Sequence, residues 1–423
     1  MAFPKGFLIG AATAAHQVEG DNMASDFWLM EQMEHTSYAE PSLAAIDHYH
    51  RFAGDIELLA NAGLNAFRFS IEWARIEPEP GKFSAEALNH YRAVIDCCRV
   101  RGVEPIVTLF HFSSPAWLIR QGGWEAPETV ASFARYVRYV AEGLGDRLHY
   151  VFTINEANLG AQIAGYIKLA ANGDADGTNI QMGLNLEGRD AEAAAMEAEY
   201  RELFGTPSPA SFNTPRTDQG NRVIMDAHRA ACAVLRDVCP HAVVGLTLSL
   251  HDLQPVTGGE AAAAEQWHTE FGQFMPAIAD DDILGIQSYT RAFVGPEGML
   301  PTAPDAHVTQ MGYEYYPEAA GHLVRRIASE FNGKIMMTEN GVGTADDAER
   351  CTFIERVMAD LEECVSDGVP LVGYCHWSLL DNFEWESGYR MQFGLVAVDR
   401  TTMERLPRPS LELLGSYAKR IGA

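Results

Sequence analysis

The sequence predicts an α/β fold of the (β/α)8, or TIM-barrel, class, built as a single domain over all 423 residues. Three observations predict it. Eight short apolar runs alternate with longer segments of helical period, the pattern of parallel strands joined by helical crossovers. The runs are apolar almost throughout rather than at every second residue, so both of their faces are buried. Polar and aromatic side chains gather at the C-terminal ends of the runs, where the active site of such a barrel lies.

The first run, 7–12, follows Lys5 and is rich in small residues, so a signal peptide competes with a strand there. It flows directly into His16-Gln17-Val18-Glu19-Gly20, and we read it as the first strand, with Gln17 just beyond it. A helix over 45–62 leads to a second strand at 66–71, which carries Arg68. A helix over 86–101 precedes the third strand, 104–111, ending on His111. The helix 127–144 feeds the fourth strand, 150–155, which ends at Asn155 and Glu156. After a long connection, a helix over 222–238 leads to the fifth strand, 243–249, whose end offers only Ser249 or His251. The sixth strand, 283–289, closes on Tyr289. Helix 316–331 then precedes the seventh, 334–339, which closes on Glu339. Helix 348–365 and the eighth strand, 371–378, carrying Trp377, complete the set. Gly63, Gly102 and Gly368 fall just after three of the helices, where a glycine caps a C-terminus.

Composition narrows the partners. A formal charge of −27 argues against nucleic acid, because phosphate binding wants a basic stripe. The seven cysteines are odd in number. None forms a Cys-x-x-Cys pair and no Cys/His cluster has zinc spacing, so buried thiols in a reducing, cytoplasmic setting fit best. No apolar stretch approaches the ~20 residues of a membrane span. Oligomeric state is not legible in the sequence.

Two stretches carry the chemistry. V-F-T-I-N-E (151–156) and I-M-M-T-E-N-G (335–341) each put a glutamate beside an asparagine at the end of an apolar run. Burying a carboxylate there is costly unless it has a partner or a task. Two such groups at one barrel mouth suit glycosidic cleavage, in which one carboxyl acts as acid and the other as nucleophile or base.

Five motifs in order make this specific: F-P-K-G-F-L-I-G-A-A-T-A-A-H-Q-V-E-G (3–20), R-F-S-I-E-W-A-R-I-E-P (68–78), T-I-N-E-A, T-E-N-G, and G-Y-C-H-W-S-L-L-D-N-F-E-W-E-S-G-Y (373–389). Together they resemble glycoside hydrolase family 1, the retaining β-glucosidase family, from residue 3 to about residue 409. The resemblance implies a β-glycosidase acting on small glycosides or oligosaccharides, with no cofactor or metal. It implies Glu339 as nucleophile and Glu156 as acid/base, their carboxyls roughly 5 Å apart, with Arg68 supporting Glu339. It further implies that Gln17, His111, Glu384 and Trp385 bind glycone hydroxyls, that Asn155 binds the 2-hydroxyl, and that Trp377 lies beneath the ring. Tyr289 is the implied hydrogen-bond partner of the nucleophile. A transglycosylase, in which a sugar outcompetes water, stays open, as does a non-catalytic sugar-binding barrel, though the presence of both glutamates speaks against the latter.

The chain departs from the family pattern in four places. Ala157 replaces the proline after the acid, and Phe112 replaces the tryptophan after His111. Gln287-Ser288 replaces Asn-Tyr before Tyr289, which bears on sugar preference, and Gln392 replaces an arginine. The stretch 167–221 is also longer than expected for the family's connection after the fourth strand. Because it leaves soon after Glu156, we read it as an insertion that forms one wall of the aglycone site, or else a peripheral ornament or a subunit contact.

Overall fold

The structure, a computed structural model, describes residues 3–171, 181 and 189–421. Its centre is a closed ring of parallel strands: β1 (Leu8–Ala12), β2 (Ala66–Ser70), β3 (Glu104–Thr108), β4 (Tyr150–Phe152), β5 (Val243–Gly245 and Thr247–Ser249), β6 (Ile283–Gln287), β7 (Lys334–Asn340) and β8 (Leu371–Trp377). Each pairs in parallel with the next, and β8 returns to β1 with Leu8 opposite Gly373. The predicted barrel is the observed one.

The fifth strand differs from expectation. It is not continuous but breaks at Leu246, because it changes partner there: Val243–Gly245 pairs with β4 and Thr247–Ser249 with β6. Gly245 makes the exchange possible. A Cβ on it would lie 1.7 Å from the Ile283 carbonyl oxygen, so only glycine lets the two backbones approach this closely.

Apolar side chains on the two faces of the ring build two cores. Inside lie Leu8, Ala12, Ala66, Ile106, Phe152, Ile283, Met336 and Cys375. Outside, residues such as Phe67, Val107, Val151 and Ile335 pack with Leu59, Ile95, Tyr136 and Ile354 of the helical layer. This double burial is why the runs are apolar throughout. The principal helices are α1 (His48–Ala62), α2 (Ala85–Val100), α3 (Glu128–Leu144), α4 (Leu159–Ala171), α5 (Arg189–Phe204), α6 (Asp218–Val238), α7 (Glu260–Glu270), α8 (Ala319–Glu330), α9 (Asp347–Ser366) and α10 (Pro409–Ala418). Gly63, Gly102 and Gly368 take positive φ of 102°, 71° and 86°. After each, the next N–H reaches back into the last turn: Leu64 to Leu59, Val103 to Cys98 and Val369 to Cys364, at 3.3, 3.0 and 3.1 Å. All three caps thus form as the sequence implies.

Helix α1 starts three residues later than predicted. Leu43, Ala45 and Asp47 have positive φ, and the chain there bonds back to Val18 and Asp21 instead of continuing a helix. A small sheet of Asp252–Pro255, Arg291–Gly295 and Gly298–Met299 was not foreseen; its pieces are too short to show a period.

Within 167–221, α4 continues to Ala171, and the charged piece 189–204 is helix α5, as expected. Of the glycine- and asparagine-rich part, 171–188, only Ala171 and Gln181 fall within the described residues. The return of the stretch, 205–217, is anchored, with Phe212 and Arg216 buried.

Candidate active site

The ladder hydrogen bonds end before several of the predicted site residues. His111 lies three residues past Thr108, Glu156 four past Phe152 and Tyr289 two past Gln287. Their side chains are therefore presented by the first turns beyond the strands rather than by the strands themselves. Arg68, Glu339 and Trp377 instead lie within β2, β7 and β8, and β7 extends to Asn340. It has a register shift between Met337 and Glu339 against β6, and such a bulge re-aims the side chain that follows it.

Glu339 is almost fully buried and meets donors on both carboxylate oxygens. Arg68, fully buried on β2, donates Nη1 to Oε1. The Tyr289 hydroxyl donates to Oε2 at 2.8 Å. Gln287 Nε2 adds a longer contact of 3.4 Å to Oε1. Every partner is a donor, which suits an ionised carboxylate. Arg68 also donates Nη2 to Asn155 Oδ1, tying the end of β4 to β7.

Glu156 has the opposite environment. Burial, and then the charge of Glu339, hold its carboxyl well above the ordinary range, outweighing a Ser249 hydrogen bond and Arg68. Its proton is therefore held more tightly than that of an ordinary carboxyl. One cavity thus holds an acid and a carboxylate, the division of labour that acetal cleavage needs.

The remaining walls suit a polyol. Glu384 is pushed up to about 8 by burial and then by Glu339, against hydrogen bonds from Trp377 and Gln17. Gln17 Nε2 donates to the Phe383 carbonyl at 2.7 Å and to Glu384 at 3.4 Å. Burial and Arg68 hold His111 well below its usual range, so it is neutral. Its Nε2 faces Asn155 Nδ2 at 3.2 Å and must accept, which puts the proton on Nδ1. That nitrogen and Gln17 Oε1 are both buried without a protein partner. Trp385 is stacked between His111 and His16, its ring parallel to His16 within 4°.

These groups share one cavity, lined by His111, Phe112, Glu156, Gln181, Tyr289, Glu339, Trp377, Glu384, Trp385 and Phe393. Of the residues singled out from sequence, Gln17, Asn155 and Arg68 are the ones that stand behind the lining. Sequence reasoning missed Gln181 and Phe393, and noted Gln287 only as a departure from the family pattern. Gln287 Nε2 donates to Asn155 Oδ1 and Thr247 Oγ1 at 2.9 and 2.8 Å, and its place at the end of β6 was the signal that could have flagged it.

Among the described residues, one group offers metal-type ligands in proximity: His228, Cys232 and Asp281, all buried, on α6 and before β6. Its members are already engaged. His228 bonds Thr153 Oγ1 at 2.7 Å and Asp281 at 3.0 Å, and burial pushes the Cys232 thiol far up. It joins helix to barrel away from the cavity.

Known proteins resemble the chain over nearly its whole length. The chain is 29% identical to a β-glucosidase of an Agrobacterium species, covering 96% of this chain and 93% of that one. It is 30% identical to a bifunctional β-D-glucosidase/β-D-fucosidase of Bifidobacterium breve, covering 97% of each. Among solved structures, β-glycosidase BGL167 superposes with a TM-score of 0.90 at 41% identity, over 100% of this chain and 98% of that one. A family 1 β-glucosidase of Thermotoga maritima gives 0.81 at 26% identity, over 100% and 99%. The family profile described as Glycosyl hydrolase family 1 matches residues 1–292 and 285–422. With its barrel, its paired carboxyls and that match along the whole chain, the protein belongs to glycosyl hydrolase family 1 and is a glycoside hydrolase.

Proposed function

We propose that this enzyme is a retaining β-glucosidase that removes terminal, non-reducing β-linked glucose and tolerates related sugars such as galactose or fucose. Glu339 attacks the anomeric carbon while Glu156 protonates the departing oxygen. Glu156 then takes a proton from the water that releases the sugar. The observation carrying this reading is the opposition of the two environments, Glu339 ringed by donors and Glu156 pushed well above the ordinary carboxyl range by burial and the charge of Glu339. Names of relatives support the sugar: β-glucosidase in the Agrobacterium species and β-glucosidase/β-fucosidase in B. breve. The test is hydrolysis of a chromogenic β-glucoside, with the first-formed sugar followed by NMR. Fast release with β-glucose appearing first is the expected result; α-glucose first, or no turnover, refutes it.

The glycone pocket also predicts what the enzyme ignores. Among the described residues no lysine or arginine lines the cavity, and Glu384 is one of its walls. A dianionic 6-phosphate there is desolvated without compensation and raises the cost of every nearby carboxylate. We expect kcat/KM for 6-phosphoglucosides to be lower than for the plain glycosides by about 10²-fold or more. Comparable efficiencies on the two substrate types show the pocket misread.

Gln181 supports the reading of 167–221 as an insertion that contributes a wall. Its Oε1 accepts from the Tyr289 backbone N–H at 2.7 Å and its Nε2 donates to the Leu250 carbonyl at 3.2 Å. It is thus fastened over the ends of β5 and β6 while lining the cavity. Gln181→Ala is expected to change the ratio of kcat/KM between oligosaccharides and small activated glucosides by roughly 3- to 10-fold. An unchanged ratio in a folded variant leaves the stretch as an ornament. The seven unpaired cysteines favour a reducing, cytoplasmic location, and the charge of −27 favours small glycosides over nucleic acid as partners. No helix among the described residues is long and apolar enough to cross a membrane.

A further inference from the structure

The backbone of Glu156 has a φ of +44°, a left-handed conformation that side chains other than glycine, asparagine and aspartate rarely adopt. Such a conformation persists only where its surroundings over-determine it. Here every hydrogen-bonding group of the turn is engaged. The Glu156 N–H donates to Thr247 Oγ1 at 2.9 Å. The Leu159 N–H donates to the Glu156 carbonyl, and the Ala157 N–H to the Thr247 carbonyl, each at 2.9 Å. The Ala157 carbonyl, the last group, accepts from Arg216 Nη1 at 2.7 Å.

Arg216 is an unusual residue to find there. It is 6% exposed, and no carboxylate among the described residues lies within ion-pair distance of it. Its second amino group bonds the Phe212 carbonyl at 3.1 Å, and its guanidinium stacks on the Phe212 ring at 4.7 Å. Burial lowers its affinity for its proton to about 9, partly offset by Glu125. Space is reserved for it: a Cβ on Gly160 would lie 2.8 Å from its Cζ, and one on Gly220 would lie 2.4 Å from its Cγ. A buried cation without an anionic partner is costly, so its retention calls for a task. Residue 157 is also where the family pattern has proline, which restrains the turn covalently but has no N–H to donate. In this chain hydrogen bonds on both sides of Ala157 take over that restraint.

We propose that Arg216 is a positioning residue for the acid/base: by holding the Ala157 carbonyl it fixes the left-handed turn that aims the Glu156 carboxyl at the glycosidic oxygen. The inference rests on Glu156 being the proton donor, as in the reading above. Proton donation matters in proportion to how poor the leaving group is, so a misaimed acid leaves a signature that simple destabilisation does not.

The test measures kcat/KM for wild type, Arg216→Met, Arg216→Lys and Glu156→Ala on glucosides from alkyl to 2,4-dinitrophenyl, under conditions in which each variant is folded by circular dichroism. Arg216→Met is expected to lose about 10- to 100-fold on alkyl glucosides, the scale of a misplaced catalytic group, and less than about 3-fold on the dinitrophenyl glucoside, where no proton is needed. Arg216→Lys, which keeps one donor, recovers part of the loss. An equal loss on all leaving groups, or none, overturns the proposal and leaves Arg216 a docking residue for the 205–217 return. If Arg216→Met does not fold, Arg216→Lys alone decides by the same criterion. Glu156→Ala separates the two readings: if it shows no dependence on leaving group, the assignment of the acid has failed; if it does and the Arg216 variants do not, only this inference has.

Discussion

Glu339→Gly is expected to lower kcat by roughly 10⁴-fold or more, the scale on which hydrolases respond to loss of a covalent nucleophile. Among the described residues no other carboxylate stands ready to replace it: Glu156 is pushed well above the ordinary carboxyl range, and Glu384 is itself pushed up to about 8. The fold should survive at a cost, because Arg68, with no solvent exposure, loses its only carboxylate partner among the described residues. Removing one member of a buried pair costs about 3–5 kcal/mol. Here the vacated volume opens to the cavity, and Arg68 keeps Asn155, so the lower end applies. Glu339→Gln, which retains an acceptor for Arg68, should be nearly as inactive but melt closer to wild type. A 2-fluoro glucoside with a good leaving group should label wild type covalently, and peptide mapping should find the label on Glu339. Label on another residue would falsify the assignment.

How far the site was legible in the sequence depends on how local each signal is. Glu156 and Glu339 stand out because a carboxylate that directly follows apolar strand residues violates the strand's own pattern. Gly63, Gly102 and Gly368 were legible for a similar reason, since each ends a helix through bonds within its own last turn. Gln287 was not. Its importance lies in reaching Asn155, Thr247 and Glu339 at once, three contacts from three strands that no spacing reveals. Arg216 and Gln181 lie in a stretch with neither strand nor helix period, and their partners, Ala157 and Tyr289, lie 59 and 108 residues away in sequence. The break in β5 was hidden too, because an exchange of partners at Gly245 leaves the apolar run unaltered. Periodicity and motifs thus located the barrel and most of the residues that line its cavity, while the bonds that hold those residues in place were non-local and emerged only from the structure.

Glu156→Ala should divide substrates by their leaving groups. Glycosides with alkyl or weakly acidic aglycones need the proton and should lose about 10²- to 10⁴-fold, the usual worth of a general acid. A 2,4-dinitrophenyl glucoside departs unaided, so its glycosylation step should run near the wild-type rate, with release by water then limiting. Azide, small enough to occupy the space of the lost carboxyl, should restore turnover. Because it attacks an α-linked glycosyl ester on Glu339 from the opposite face, the product should be the β-glycosyl azide; the α-azide would reverse the two roles. The pH dependence follows from the same group. Burial and the Glu339 charge raise the Glu156 pKa, and the protonated form is the active one. Activity is therefore retained below that raised value and lost as pH climbs through it, on the alkaline side of the profile. Glu384, pushed up to about 8 in the same cavity, also titrates there, but it faces the sugar rather than the departing oxygen, so its ionisation should register in KM. In wild type the kcat profile should fall on the alkaline side; in Glu156→Ala with the dinitrophenyl substrate that fall should disappear from kcat while a change in KM near pH 8 remains. A kcat limb that persists in the variant would mean that Glu156 is not the proton whose loss stops the reaction.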